Sequence, residues 1–259
     1  MNVLVCIKQV PDTEQPIRTK PDGSGIEEAG INWILNYYDE HAVEEALRIR
    51  EKHGGGVTVV CVGPPRATEA VRTALAMGAD EGILVTDPAL EAADHLVTAR
   101  VLAQVAGTLA WDVILCGRLA TDDNAAVVGP ALAEYLGVPQ ATAVTKLEIR
   151  DGTARVEREV EGGLEVLEVE LPALFTVERT INEPRYPTLP GIMRAKRKEI
   201  RTLTLPDLGV LASDLEPRWR YVRFDPPPKR VGGQVVHPET PEEAARRIVA
   251  FLRDVARVL

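Results

Sequence analysis

Side chains able to do covalent chemistry are scarce in this chain. It has two serines, Ser24 and Ser213, and neither lies in Gly-x-Ser-x-Gly. Its four histidines, His41, His53, His95 and His237, show no ligand spacing, which argues against a metal site. The three cysteines, Cys6, Cys61 and Cys116, each sit in an apolar, strand-like run, and none forms Cys-x-x-Cys. They read as reduced core residues of a cytosolic, cytoplasmic protein. A P-loop is absent, and no Gly-x-Gly-x-x-Gly follows the first strand. Asp122 and Asp123 could pair as carboxylates, although a helix cap explains them equally well. Glu157, Glu159 and Glu161 alternate along one strand and read as a solvated face. No nucleophile finds a base.

One stretch carries a different chemistry. Trp111-Asp112-Val113-Ile114-Leu115-Cys116-Gly117 is a short apolar run punctuated by glycine, long enough for a buried strand. Thr121, Asp122, Asp123 and Asn124 follow, and each can cap a helix. Residues 125–136 have a helix pattern that Gly137 ends. Strand, loop and helix together gather free N–H groups at a helix start near Asn124, and such an end attracts phosphate. An ordinary βα turn would explain the same residues in isolation. The chemistry present favours a nucleotide-binding, partner-binding domain over a hydrolase.

The surrounding elements fit that reading. Residues 3–7, 57–62, 82–86 and 111–117 are buried-strand runs, and they alternate with helices at 36–52, 65–77, 92–109 and 125–136. Asn36 or Asp39 would cap the first helix. The alternation predicts a doubly wound, mostly parallel, Rossmann-like α/β sheet covered on both faces. Residues 8–30 form a long polar connection, and 32–35 a short strand. After Gly137 the pattern changes. Residues 142–150, 153–161 and 164–171 alternate apolar and charged, with Asp151-Gly152 and Gly162-Gly163 as two-residue turns, so an antiparallel hairpin extension spans 142–171. Residues 172–177 read as a last buried strand. Eleven of the chain's nineteen prolines fall between Pro172 and Pro241. Residues 199–240 therefore read as extended, with Pro226-Pro227-Pro228 as a stiff spacer, before a final helix at 244–258. Two parts are expected: a nucleotide-binding domain at 1–198 with a partner-recognition loop at 182–198, and a C-terminal arm at 199–259 that packs on a partner chain. At 259 residues and 45% hydrophobic the chain can bury a real core, while a net charge of −9 argues against nonspecific nucleic-acid binding. No apolar run approaches the roughly 18 residues that would span a bilayer. A strand-like run starting at Val3 leaves no room for a signal peptide.

Four segments carry a resemblance. They are Val5-Cys6-Ile7-Lys8-Gln9-Val10-Pro11-Asp12, then Asn36-Tyr37-Tyr38-Asp39-Glu40-His41-Ala42-Val43-Glu44-Glu45-Ala46, then Thr73-Ala74-Leu75-Ala76-Met77-Gly78-Ala79-Asp80. The fourth and most specific is Asn182-Glu183-Pro184-Arg185-Tyr186-Pro187-Thr188-Leu189-Pro190-Gly191-Ile192-Met193-Arg194-Ala195-Lys196. In order and over essentially the whole length, the chain resembles the beta subunit of electron transfer flavoprotein.

That resemblance implies a non-enzymatic subunit of a heterodimer. The alpha subunit would hold most of the FAD, and this chain a structural AMP. Electrons would come from flavin dehydrogenases such as acyl-CoA dehydrogenases and pass to a quinone oxidoreductase or another acceptor. By resemblance the AMP lies against Cys6, Asn36, Tyr37, Tyr38, Asp39, Val62, Gly117, Arg118, Ala120, Thr121, Asp122, Asp123, Asn124, Ala125, Ala126, Val127, Val128 and Gly129. Thr13 and Tyr38 approach the flavin edge, and Glu159 faces the mobile flavin domain of the alpha subunit. Leu189, bracketed by Pro187 and Pro190 and followed by Ile192 and Met193, anchors the dehydrogenase. The chain departs from the family at Arg118 and Leu119, where Lys and Gln are usual, and at Val127, where Gln is usual. ADP or a second FAD therefore stays open beside AMP. The alternative from another class is a stand-alone ATP-binding enzyme of the same fold, which would need a glycine- and serine-bearing loop after strand one. Lys8-Gln9-Val10-Pro11-Asp12-Thr13 has neither residue.

Overall fold

The computed structural model describes residues 1–211, 213, 215–228, 233 and 235–259. Two compact units divide the chain, Met1–Phe224 and Asp225–Leu259. The first is built on a nine-stranded sheet. The middle one of its seven parallel strands, β1 (Val3–Ile7), is buried along its whole length. On one side lie β4 (Val57–Val62), β5 (Glu81–Val85) and β11 (Ile200–Leu203), and on the other β6 (Val113–Gly117), β10 (Ala173–Val177) and β7 (Gln140–Arg150), all parallel. β8 (Thr153–Val160) and β9 (Gly163–Glu170) continue the sheet antiparallel. Four helices cross over between strands: α1 (Tyr37–His53), α2 (Thr68–Met77), α3 (His95–Gly107) and α4 (Val128–Leu136).

Alternation along the strands divides the core in two. Val3, Val5 and Ile7 of β1 join Val113, Leu115 and Phe175 beneath α1 and α2. Leu4 and Cys6 join Ile114, Cys116 and Leu174 beneath α3 and α4. Successive strand side chains point to opposite faces, so a strand covered by helices on both faces must be apolar at every position. This is why β1 reads as a continuous apolar run rather than an alternating one.

Several elements differ from what the sequence predicts. The long connection after β1 contains β2 (Gln9–Pro11), which pairs antiparallel with β3 (Trp33–Leu35). α3 starts at His95 rather than 92 because the Asp94 carboxylate accepts the Val97 N–H at 2.8 Å and caps it there. α4 starts at Val128, not near Asn124, because Asn124 (φ 53°) and Ala126 (φ 54°) are left-handed and cannot continue a helix. The first hairpin turn is Asp151-Gly152, with φ 48° and 79°, as a primed turn requires. The second falls one residue early, on Glu161 and Gly162, because Val160 pairs with Gly163.

The largest difference lies beyond residue 198. The stretch expected to be extended contributes β11, an edge strand parallel to β5. Leu205, Val210 and Leu215 are buried in the core beneath α3 and α4. The first unit thus runs to Phe224, past the boundary expected at 198. Residues 212, 214, 229–232 and 234 of the expected extended stretch lie outside the described residues. The second unit holds α6 (Pro241–Ala250), which the Thr240 hydroxyl caps by accepting the Glu243 N–H at 3.2 Å. A single wider turn, Phe251–Val255, follows. Among the described residues no helix is long and apolar enough to cross a membrane.

Burying one large aliphatic side chain is worth about 1.5–3 kcal/mol. A chain ending at 224 is therefore expected to unfold cooperatively at close to the full-length denaturant midpoint. A chain ending at 198 loses β11 and three core side chains, and should be less stable by more than about 4 kcal/mol. Equal midpoints for the two truncations would contradict this.

Candidate functional site

Chain order and strand order reverse beside β1. From β1 the chain winds outward through β4 and β5, then returns to place β6 on β1's other side. Loops leaving the carboxyl ends of β1 and β6 therefore diverge, and they leave a crevice where doubly wound sheets hold ligands. Lys8 opens one loop and Arg118 the other.

Asp39, in the first turn of α1, ties the two strand ends together. Its carboxylate accepts the Lys8 N–H at 2.7 Å and the Gly117 N–H at 3.1 Å. A Cβ at residue 117 would lie 2.7 Å from Tyr38 Cβ and collide with the Asp39 carboxylate, so only glycine fits. Burial pushes the Asp39 pKa from 3.8 up to about 7, against the pull of the two N–H donors, the Asn36 side chain and Lys8. Asn36, itself buried, does not cap α1 with its side chain. It reaches instead to the second loop, donating to the Leu119 carbonyl at 2.9 Å and accepting the Thr121 N–H at 3.2 Å.

The second loop is held from three directions. Lys8 Nζ donates to Asp122 at 2.7 Å and to Asp123 at 3.0 Å. Asp123 also accepts the Ala125 N–H at 3.0 Å and bonds His95 Nε2 at 2.9 Å. Burial opposes ionisation of Asp123, but the Ala125 N–H, Lys8 and His95 together hold its pKa below the usual value. Asp122 and Asp123 are thus lysine-paired, and neither caps α4. Arg118 turns away and pairs with Glu178, while its N–H donates to the Val177 carbonyl at 2.9 Å.

Two features of this loop are unsatisfied within the chain. Val127 precedes α4 and offers no side-chain cap to its first N–H groups. Thr121 Oγ1 is buried without a hydrogen-bond partner, one of three such side-chain atoms among the described residues, with Gln9 Oε1 and Arg66 Nε. A buried hydroxyl without a partner is costly unless something else bonds it. An uncapped helix start and a free hydroxyl suit an anionic group such as a phosphate.

The expected site residues distribute as follows. Cys6, Asn36, Tyr37, Tyr38, Asp39, Val62, Gly117 and Arg118 lie at or just beyond the carboxyl ends of β1, β4 and β6, or in the first turn of α1 and its cap. Ala120, Thr121, Asp122, Asp123, Asn124, Ala125, Ala126 and Val127 form the loop, and Val128 and Gly129 begin α4. Thr13 is exposed and bonds Tyr37. Glu159 is exposed on β8, opposite Leu164. Groups of three or more His, Cys, Asp or Glu able to hold a metal ion are absent among the described residues.

The segment 182–198 is a separate feature. Leu189 is the first residue of α5 (Leu189–Arg197) and is 74% exposed. Pro190 falls in the first helical turn, which tolerates proline, so Leu189 joins the helix instead of staying extended. Ile192 and Met193 are also exposed. The loop beneath is fixed. Arg185 bonds the buried Glu44 at 2.8 Å and Glu51 at 2.6 Å, and Asn182 donates to Glu45 at 3.0 Å. Arg72 donates to the Ala195 carbonyl at 2.6 Å, and Lys198 to those of Ala79 and Asp80, both at 2.8 Å.

Sequence reasoning missed the segment 215–224. The Asp94 carboxylate accepts the Arg218 N–H at 2.6 Å, and Trp219 packs on His95 with ring centroids 4.9 Å apart. Trp219 meets Tyr221, and Tyr221 meets Phe224, each at 4.9 Å. The Phe224 N–H donates to the Gly23 carbonyl at 2.9 Å. The available signal was compositional: aromatics make up 4% of the chain, yet three fall within residues 219–224.

Comparison with known proteins gives a consistent result. The model of the electron transfer flavoprotein domain matches residues 24–208. The electron transfer flavoprotein subunit beta of Bacillus subtilis is 41% identical over 260 residues, covering 100% of both chains. That of Sus scrofa is 42% identical over 261 residues, covering 100% of this chain and 99% of its own. That of Thermoanaerobacterium thermosaccharolyticum is 46% identical over 216 residues, 83% of each chain.

Asp39 gives the site a pH dependence. Its folded pKa of about 7 lies above its ordinary value of 3.8, so the native state binds this proton more tightly than the unfolded chain does. The stability it contributes falls as pH rises between those values and then levels off. The stability of the wild type minus that of Asp39→Asn is thus expected to be larger at about pH 5 than at about pH 8, by roughly 2 kcal/mol. Urea midpoints at the two pH values measure it, and a difference that grows with pH would contradict the assignment.

Proposed function

Because the chain belongs to the electron transfer flavoprotein family, as a beta subunit, we propose that it works in a heterodimer whose alpha subunit holds most of the FAD, and that its own crevice holds a structural AMP. It is an electron-carrier subunit and not an enzyme. The observation that carries the nucleotide reading is the loop Ala120–Val127. Asn36 and Lys8 hold it in shape, while Thr121 Oγ1 and the start of α4 are left without partners. A nucleotide phosphate would complete both sets of bonds. Cys6, Tyr37, Tyr38 and Val62 would line the rest of the pocket. One lysine set against two aspartates disfavours added negative charge, so AMP is preferred to ADP.

The nucleotide needs no reactive role. A ligand that binds only the folded state stabilises that state by mass action. Thr13 and Tyr38 would approach the edge of the flavin carried by the alpha subunit, and Glu159 would face its mobile flavin domain. Flavin dehydrogenases such as acyl-CoA dehydrogenases would donate electrons, a quinone oxidoreductase or other acceptor would receive them, and the setting would be cytoplasmic. The alpha subunit would also cover the second unit, where Ile248, Val249, Phe251 and Val255 of the terminal helix are exposed. A stand-alone ATP-binding enzyme is disfavoured because Lys8, the cation nearest to where a phosphate-gripping loop would sit, is already paired to Asp122 and Asp123.

Leu189 would be the dehydrogenase anchor. It stands exposed on a loop whose base is pinned to α1 and α2, so little ordering entropy remains to be lost on docking. One side chain can dominate a small, transient interface.

Two measurements test these readings. Acid-denatured heterodimer is expected to release one adenylate per beta chain beyond its FAD, identified by mass spectrometry as AMP; release of none would remove the nucleotide from the proposal. Leu189→Ala is expected to weaken coupling to a cognate dehydrogenase about tenfold, the equivalent of about 1.4 kcal/mol. Its unfolding midpoint and flavin content should remain unchanged. Lost stability with unchanged coupling per folded molecule would make Leu189 a structural residue.

A further inference from the structure

The segment 215–224 runs from the start of α3 to the loop at Gly23, and it is stapled at both ends. At one end Leu215 is buried in the core, and the Asp94 carboxylate that caps α3 also accepts the Arg218 N–H at 2.6 Å. At the other the Phe224 N–H donates to the Gly23 carbonyl at 2.9 Å. Between the staples Trp219, Tyr221 and Phe224 form a row of rings, each 4.9 Å from the next. Burial raises the Tyr221 pKa, and the charges of Asp123 and Asp122 add to it. Trp219 packs on His95, which bonds Asp123, so the segment passes beside the loop 120–127.

One side chain joins the two. His95 packs its ring on Trp219 at 4.9 Å and bonds Asp123 through Nε2 at 2.9 Å. Asp123 in turn accepts from Lys8 at 3.0 Å and from the Ala125 N–H at 3.0 Å, the bond that shapes the left-handed turn at Asn124 and Ala126. Contacts thus run without a gap from Trp219 through His95 and Asp123 to the loop backbone. His95 is the first residue of α3, and the Asp94 cap fixes where it stands. The same Asp94 holds the strap, so strap and histidine are set by one carboxylate.

We infer that residues 215–224 are a strap belonging to the crevice, and that His95 is a positioning residue which couples the strap to the loop 120–127 and so governs how fast a bound nucleotide leaves. The consequence for the nucleotide rests on the adenylate reading above. The coupling of strap to loop does not. His95 touches no reacting atom; it acts through Asp123. Beyond the buried Leu215, the strap is held by the Arg218 and Phe224 N–H bonds and by one ring contact, Trp219 on His95, so it can lift as a unit, and lifting removes the stacking partner that keeps His95 against Asp123. Loop order and strap order then rise and fall together.

The test uses the intact heterodimer. Adenylate release is followed by rapid filtration into nucleotide-free buffer, and amide exchange is read by mass spectrometry over 120–127 and 215–224. Trp219→Ala is expected to speed exchange at 120–127, to which Trp219 is joined through His95 and Asp123. Trp219→Ala and His95→Ala should each release adenylate about tenfold faster, the equivalent of about 1.4 kcal/mol. Trp219→Phe keeps a ring on the histidine and should retain most of the wild-type rate. His95→Gln, whose amide can still donate to Asp123, should fall between wild type and His95→Ala. Wild-type release rates in both alanine variants, or unchanged exchange at 120–127 in Trp219→Ala, would overturn the inference. A wild-type heterodimer holding no adenylate would overturn the nucleotide reading instead, and exchange at 120–127 would still decide the coupling.

Discussion

Everything at the carboxyl edge of the sheet depends on one buried carboxylate. Asp39 stands where β1 and β6 part, and it accepts an N–H from the first residue beyond β1 and from the last residue of β6. A parallel sheet has no bond to offer these groups where its strands diverge, and a buried N–H left unpaired is costly. Burying an ionisable group is expensive, which is why its pKa is driven up to about 7. The cost is met at the one place where two loops must leave the sheet in opposite directions and still meet. Asn36, one turn earlier on the same segment, repeats the device across the second loop with an uncharged amide. The first turn of α1 therefore does the work of a hinge pin for both crossings.

The segment 182–198 follows a different principle. Its base is fixed by charge and by backbone acceptors, and its tip is left apolar and unpaired. Glu44 is buried yet ionised: burial opposes the charge, and bonds from Arg185 and Arg48 overcome it. Breaking one partner of such a pair leaves a buried charge without compensation, which costs far more than the pair contributes. Gly191 permits the close approach, since a Cβ there would stand 2.7 Å from the Ala76 carbonyl oxygen. A single leucine presented on such a base can engage a partner briefly and still specifically.

Much of this was legible in the sequence because periodicity and burial agree. β1, β4 and β6 are apolar at nearly every position, as doubly covered strands must be, and the Asp151-Gly152 turn announces its hairpin. The strand and helix that flank the loop at 117–129 were legible, and so was the exposure of Leu189. Three things were not. The start of α4 was misplaced because Asn124 and Ala126 adopt a left-handed backbone that alanine gives no hint of. Beyond residue 198 the prolines suggested an arm, but Leu205, Val210 and Leu215 carry enough apolar surface to hold the chain on its own core. The role of His95 depends on Trp219, far away in sequence, and no local pattern joins them.

Helix starts show where local rules yield to something else. α3, α5 and α6 each begin with a side-chain cap, from Asp94, Thr188 and Thr240. α2 runs on from a short preceding turn, whose Pro65 carbonyl accepts the Thr68 hydroxyl. α1 and α4 have no side-chain cap, and both open at the crevice. In α1 a capable residue is present, but Asn36 spends both ends of its amide on the opposite loop. In α4 the capping position is Val127, although Thr121 to Asn124 just before it are all competent caps. The left-handed Ala126, the unpartnered Thr121 hydroxyl and the buried Asp39 lie on the same edge. A cap foregone costs about 1 kcal/mol, and a left-handed alanine costs about as much again. Such costs scattered over the molecule would mean little. Three of them, the uncapped start of α4, the left-handed Ala126 and the unpartnered Thr121 hydroxyl, meet in the single loop 120–127, where the chain leaves several backbone and side-chain groups to be satisfied from outside it.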